Sequence, residues 1–284
     1  MSDVVIHGPV SWNHIVQLEA LPRPESHMVL ASGHHYGVGG TSAGKALHLA
    51  ELRRPVSLHT VVGSDPLADL LEQTLSGVGI AAHARRALGP SEQHLNLMDA
   101  DGRRVSIYLE LPAEPTDPDP VPLVTDASSA RALVMDLSTA SRHLLPAVGG
   151  LGVPLWTDVH DYDGVTDFQR PFVDAASYVF CAGDRLGSPL DFLRTVTARG
   201  AHLAVCTMGA DGALAVDHSQ RTYHVPAHPV AHIVDTNGAG DGFFAGCLDA
   251  VLDGSPVQDA LDAGARQAAR ALSTVHLSPL LGNG

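Results

Sequence analysis

Basic residues are scarce in this chain: Lys45 is the only lysine, and 17 Lys and Arg face 31 Asp and Glu, for a net charge of −14. A surface of that sign repels a polyanion, so no nucleic-acid partner is expected. The lysine scarcity, beside abundant Ala, Arg and His, reads as compositional drift and not as mechanism. Cysteine is rare too. Cys181, Cys206 and Cys247 have neither paired nor metal-ligand spacing, and each lies in an apolar stretch. That excludes a disulfide framework and points to core thiols in a reducing compartment. No apolar run approaches the roughly 18 residues that cross a bilayer, and the first six residues hold no basic cluster. A cytoplasmic protein with no membrane partner is expected. No internal repeat is visible.

What the chain does have is length and alternation. Its 284 residues suffice for one large core or two modest ones. Short β-rich runs at 4–7, 56–62, 132–137, 153–159, 178–181 and 203–208 alternate with helical stretches. Several are apolar almost throughout, as in strands covered on both faces. The pattern predicts an α/β doubly wound, mostly parallel sheet flanked by helices. Two stretches break the rhythm. Residues 11–36 read as irregular, with Pro22 and Pro24, and 95–98 and 103–111 flank a hairpin signal at Asp101-Gly102. In the second of those strands Val105, Ile107 and Leu109 alternate with Ser106, Tyr108 and Glu110, so one wet face is expected. Residues 112–122 read as an extended return loop.

The stretch most loaded with chemistry is Asp235-Thr236-Asn237-Gly238-Ala239-Gly240-Asp241. It follows the apolar residues Val230, Ile233 and Val234. It opens a helical stripe of Phe243, Phe244, Cys247, Leu248, Val251 and Leu252, stopped by Gly254 and Pro256. Gly238 and Gly240 let amides converge at the positive end of a helix, a ready anion site. Asp241 would repel that anion unless its task is to take a proton from a hydroxyl attacking a phosphate held there.

The segment resembles the C-terminal signature of the ribokinase-like, or PfkB, carbohydrate kinases. Gly39-Gly40-Thr41-Ser42-Ala43-Gly44 is similar to that family's Gly-Gly loop, and 61–65 with 77–80 resembles its next strand–helix unit. Thr207-Met208-Gly209-Ala210-Asp211-Gly212 is similar to its nucleotide-binding turn. The resemblance implies one ribokinase-like domain over 1–284, with a small β-sheet lid from about 11–36 and 92–112. It implies ATP and Mg2+, with K+ as a further implication at Asp235 and Thr236. Asp241 would be the general base, and Gly238, Ala239 and Gly240 would supply stabilising amides. Ser11, Asn13, Gly39, Gly40 and Gly44 would face the acceptor, and Thr207, Gly209, Gly212, Asp184 and Gln267 the nucleotide. The acceptor would be the hydroxymethyl group of a sugar, or alternatively a nucleoside; a catalytically weak ligand-binding relative is a third reading. The lid implies a homodimer.

Three positions depart from the family pattern. Asn13 stands where an aspartate is usual, and Gly44 where an asparagine is, so the grip on the acceptor differs. Ala182-Gly183-Asp184-Arg185 replaces an Asn-x-x-Glu segment, leaving Asp184 as the stand-in carboxylate. Gln267 equally fits a solvated helix residue. Gly39-(x4)-Gly44-Lys45 mimics a phosphate-binding P-loop, but Ala46 stands where a Ser or Thr must hold magnesium. Asp158 ends a strand and is expected at the rim of the site. His34 and His35 precede the Gly-Gly loop and are candidates for substrate contact.

Overall fold

The computed structural model describes residues 2–100 and 102–282. The described residues form thirteen strands and eight α-helices. The strands are β1 (Val4–His7), β2 (Ser11–Gln17), β3 (Gly33–Gly39), β4 (Val56–Val62), β5 (Ala81–Arg86), β6 (Glu92–Met98) and β7 (Arg104–Glu110), then β8 (Ala132–Met135), β9 (Leu155–Asp158), β10 (Tyr178–Ala182), β11 (Leu203–Thr207), β12 (Ala213–Asp217) and β13 (Thr222–Val225). The helices are α1 (Thr41–Glu51), α2 (Pro66–Gly77), α3 (Val121–Ala127), α4 (Thr139–Val148), α5 (Arg170–Ala175), α6 (Pro189–Ala198), α7 (Ala239–Leu252) and α8 (Val257–Ala271).

Nine strands form the main sheet in the order β13-β12-β11-β10-β9-β8-β1-β4-β5. It is parallel from β5 to β11, and β12 and β13 add an antiparallel edge. The strand order turns at β1, the point at which doubly wound sheets open a crevice beyond their carboxyl ends. Alternate side chains of each strand feed two cores. Ile6, Leu58, Val134, Trp156 and Val205 pack with α1, α2, α7 and α8. Val5, Leu133, Val179 and Ala204 pack with α3, α4, α5 and α6. This is the expected doubly wound architecture. Local signals set the helix starts: Asp65 caps α2 by accepting from the Ala68 amide at 3.2 Å, with Pro66 next to it. No helix among the described residues is long and apolar enough to cross a membrane.

A separate four-stranded sheet runs β3-β2-β6-β7. Residues 11–36 are therefore not irregular throughout: β2 and β3 pair antiparallel from Ser11↔Gly39 to Gln17↔Gly33. Their sequences hide this because His14, His34 and Tyr36 sit where apolar residues would mark a strand. The rings instead contact one another, His14 and Tyr36 stacking at 4.2 Å. Strand β7 also departs from expectation, since both of its faces are exposed: Ile107 is 41% exposed and Tyr108 62%. It is the sheet's outer edge, paired with β6 on one side, and no helix of the described residues packs over it. At the turn before it, Gly102 adopts φ 79°, whereas Asp101 lies outside the described residues. The apolar residues before the Asp235 motif form no strand; Ile233 is 55% exposed.

Candidate active site

Helix α1 is buried from Ser42 to Leu49, and Lys45, the basic residue in the middle of that stretch, has no exposed surface at all. A buried ammonium needs partners. Lys45 Nζ lies 3.2 Å from Asp136 Oδ1, 3.1 Å from Asp241 Oδ1 and 3.6 Å from Asp158 Oδ2. It also contacts Thr41 Oγ1 and sits 5.0 Å from the Phe244 ring centroid. The three carboxylates come from three places: the residue after β8, the end of β9, and the first turn of α7. All lie at the crevice edge of the sheet.

Each neighbour has its own supports. Thr41 Oγ1 donates to Asp241 Oδ1 at 2.8 Å, and Ser42 Oγ donates to Asp136 Oδ2 at 2.8 Å. The His160 amide donates to Asp158 Oδ1 at 2.9 Å. Burial alone would push the Lys45 pKa down; Asp136, Asp241 and Asp158 outweigh it and hold it above the ordinary lysine value. Burial raises the Asp136 pKa, with Lys45 and His160 only partly offsetting this. For Asp158 burial also pushes upward, but His160 and Lys45 prevail and the net direction is down. Of Asp136 and Asp158, Asp136 is therefore the one that more readily takes a proton.

Asp241 is not aimed freely at solvent. Its side chain is 12% exposed, and Oδ1 is held by Lys45 and Thr41. Oδ2 lies against Gly44, where a Cβ would collide with the carboxylate. Gly44 therefore makes room for the acid. Ahead of it, Gly238 takes φ 80° at the start of α7, and a Cβ there would press on the Leu277 carbonyl at 2.6 Å. Only glycine suits that left-handed turn. A Cβ on Gly240 would meet nothing within 4 Å, so the space before the helix end is open. The first-turn amides there have no acceptor inside the helix.

The other expected residues fall into groups. Ser11 and Asn13 are buried on one face of the small sheet, with Ser11 Oγ donating to Asn13 Oδ1 at 2.7 Å. Gly39 lies beside the Asn13 side chain, and Gly40 turns at φ 89° into α1. On the same face, strand register sets Glu92 beside Ser11 and His94 beside Asn13; both are buried and joined at 2.8 Å. Thr207, Gly209 and Gly212 occupy the turn from β11 to β12, where Met208 N donates to the Gly212 carbonyl at 2.8 Å. Asp184 is exposed beyond β10, and Arg185 pairs with Asp161 and Asp163, each at 3.7 Å.

Asp235 is buried; Oδ1 accepts from the Asn237 amide at 2.7 Å, while Oδ2 has no hydrogen-bond partner among the described residues. An orphaned buried carboxylate oxygen fits a monovalent cation by donor chemistry. Thr236 Oγ1 donates to the Gly102 carbonyl at 3.1 Å. For Mg2+, Asp184 and Asp158 are hard oxygen donors of the kind it prefers.

Several expectations need correction. Lys45 is not a compositional accident but the centre of the cluster. Gln267 is neither solvated nor turned to a nucleotide: it is buried, and its amide donates to His48 Nδ1 at 2.9 Å and Glu51 Oε2 at 2.8 Å. His34 meets His14 at 3.3 Å, whereas His35, paired with Ile15 on the face that carries Asn13, meets the Val275 carbonyl at 3.0 Å. The P-loop look-alike does follow a strand, β3, but residues 41–44 are already helical and cannot form a phosphate-cradling loop. Thr41, Ser42, Asp136, Glu92 and His94 were missed by sequence reasoning. For Lys45 and Asp136 a signal existed: a lone charge in an apolar helix, and a carboxylate just past an apolar strand.

A carboxylate at a glycine-opened helix end, on the crevice edge of a doubly wound sheet with a second small sheet, defines the ribokinase-like small-molecule kinases. A profile described as "pfkB family carbohydrate kinase" matches residues 182–279. The acarbose 7(IV)-phosphotransferase of Actinoplanes sp. is 30% identical over 272 residues, covering 93% of this chain and 90% of that protein. The solved structure of a microbiome-derived acarbose kinase, Mak1, has a TM-score of 0.86 at 28% identity and 99% coverage of both chains. Arabidopsis thaliana ribokinase, solved with ribose and ATP, has a TM-score of 0.80 at 20% identity over 99% of this chain and 96% of its own. The chain belongs to the pfkB family of carbohydrate kinases. It is an ATP-dependent sugar phosphotransferase.

Proposed function

We propose that this kinase transfers the γ-phosphate of ATP to a hydroxymethyl group of a sugar or sugar-like acceptor, with Asp241 as general base. The observation that carries this reading is the Lys45–Thr41–Asp241 contact set at the start of α7. Thr41 and Lys45 fix the carboxylate through Oδ1, so the acceptor hydroxyl meets a base of set orientation. The hydroxyl proton passes to Asp241 as the oxygen attacks in line. Charge developing on the transferred group is met by the amides of Gly238, Ala239 and Gly240.

Ser11, Asn13, Gly39, Gly40 and Gly44 form the acceptor side, with Glu92 and His94 extending it across the small sheet. Thr207, Gly209, Gly212 and Asp184 form the nucleotide side. Mg2+, held by Asp184, would neutralise phosphate charge when bound, and K+ suits the spare oxygen of Asp235. The small sheet acts as a lid that excludes water. Its exposed edge at Val105, Ile107, Leu109 and Leu111 suits pairing with a second copy.

Acarbose is the acceptor to try first, since two full-length relatives are named for it. An ADP-release assay over acarbose, simple hexoses, pentoses and nucleosides tests the acceptor class. Turnover confined to nucleosides would replace the sugar reading. The base is tested by Asp241→Asn, expected to bind ATP normally and to lose about 10²–10⁴ in kcat. Unchanged turnover in that variant overturns the role.

A further inference from the structure

Away from the Lys45 cluster, two imidazoles and a carboxylate converge. His59 on β4 and His83 on β5 are direct neighbours in the parallel register, and their rings stack with centroids 4.6 Å apart. Both Nε2 atoms point at the same oxygen of Asp126 on α3, His59 at 2.8 Å and His83 at 3.6 Å. All three ligand atoms lie within 4.8 Å of one another. We propose that His59, His83 and Asp126 form a binding site for one divalent transition-metal ion of the zinc, nickel or cobalt class.

The geometry supports this in three ways. Around a tetrahedral ion with bonds of about 2.0–2.1 Å, ligand atoms sit roughly 3.3–3.4 Å apart. The two observed separations bracket that spacing, so a small side-chain shift suffices. Two nitrogens and one carboxylate oxygen are a ligand set for borderline metals, not for magnesium or calcium. The scaffold is also suitable. His59 is anchored inside the main sheet, whereas the side chains of His83 and Asp126 are 50% and 38% exposed and give an ion access. A cleft of about 610 Å³, lined by His59 and His83 together with Glu72 and Asp119, adjoins the group and leaves room for water in the remaining positions.

The test uses the full-length chain without a polyhistidine tag, titrated with Zn2+ alone against a chromophoric chelator. One ion per chain is expected at this site. His83→Asn and Asp126→Asn should each weaken it about tenfold or more. His59 is buried and its loss threatens folding, so it is not the decisive position; His83 lies on an edge strand and tolerates change. Because the chain carries 17 histidines, exposed His27→Asn serves as the control and should bind as the parent does. Co2+ should give tetrahedral visible bands that disappear in His83→Asn. Zinc affinity unaltered by His83→Asn, or no site stronger than scattered surface histidines, overturns the proposal.

Discussion

Replacing Lys45 by methionine keeps the length of the side chain and removes its charge. Asp136 and Asp158 are almost wholly buried, and they would then face Asp241 with no cation between them. Breaking a buried ion pair from one side costs about 3–5 kcal/mol. At about 2–3 °C per kcal/mol for a chain of this size, Tm at pH 8 should fall by roughly 6–15 °C. The pH dependence is a sharper signature. The Asp136 pKa is raised in the folded state, so its contribution to stability is present at low pH and is lost as pH rises through the folded value. In Lys45→Met, acidification lets a proton on Asp136 replace the missing charge, and the Tm gap from the parent should narrow from pH 8 to pH 5. Adding Asp136→Asn should recover much of the loss at pH 8. Scanning calorimetry across that range is the assay. A gap of constant size, or a double variant no more stable than the single one, would refute the charge argument. Turnover should fall in Lys45→Met whatever its stability, because Asp241 Oδ1 loses one of its two anchors.

Gly44→Ala should push the Asp241 carboxylate aside and lower kcat by about 10²-fold with little change in the KM for ATP, measured by steady-state kinetics. Asn13→Ala should raise the acceptor KM several-fold while leaving the ATP KM unaltered. Ser42→Ala removes the 2.8 Å donor to buried Asp136 and should cost about 1–3 kcal/mol in denaturant unfolding. His7 is pushed down to about 3 by burial and by the nearby His59 charge. Its folded pKa lies below the unfolded one, so its stabilising contribution is complete above about pH 6.5 and is lost as pH falls toward 3. His7→Asn should reduce by about one the protons taken up on acid unfolding in that window, read from the slope of ΔG against pH.

The sequence showed the apolar strands of the two cores and the glycine turn that opens α7 because both are written locally. Apolar strands such as 132–135 announce burial on both faces, and Gly238 and Gly240 announce a backbone that must turn at a helix end. Lys45 stood out as a charge among apolar residues, but its role was illegible for the opposite reason. Its partners stand at 136, 158 and 241, and only the crossovers of the sheet bring them together. Strand β3 was hidden by His34, His35 and Tyr36, whose alternation carries no hydrophobic signal. Gln267 was misread because its partners, His48 and Glu51, lie on a helix over 200 residues earlier. Edge strand β7 alternates convincingly, but alternation states only that two faces differ, not that something covers either one.

The small sheet and the segment that leads into α7 are physically joined. Arg104 on β7 donates to Asn237 Oδ1 at 2.8 Å, and the Gly102 carbonyl accepts from Thr236 at 3.1 Å. Asn237 in turn donates its amide to Asp235, one residue before the glycines that open α7. A movement of the small sheet therefore pulls on the backbone whose amides are to meet phosphate. In a chain of net charge −14, that coupling has a use. The protein's own field opposes ATP, so any group that holds the nucleotide must act at short range and in fixed geometry. Arg104→Ala should uncouple the two ends: kcat for transfer should drop while ATP hydrolysis without acceptor rises relative to it, because water is no longer excluded as the acceptor seats. Equal loss of both activities would show Arg104 to be a structural tie and nothing more.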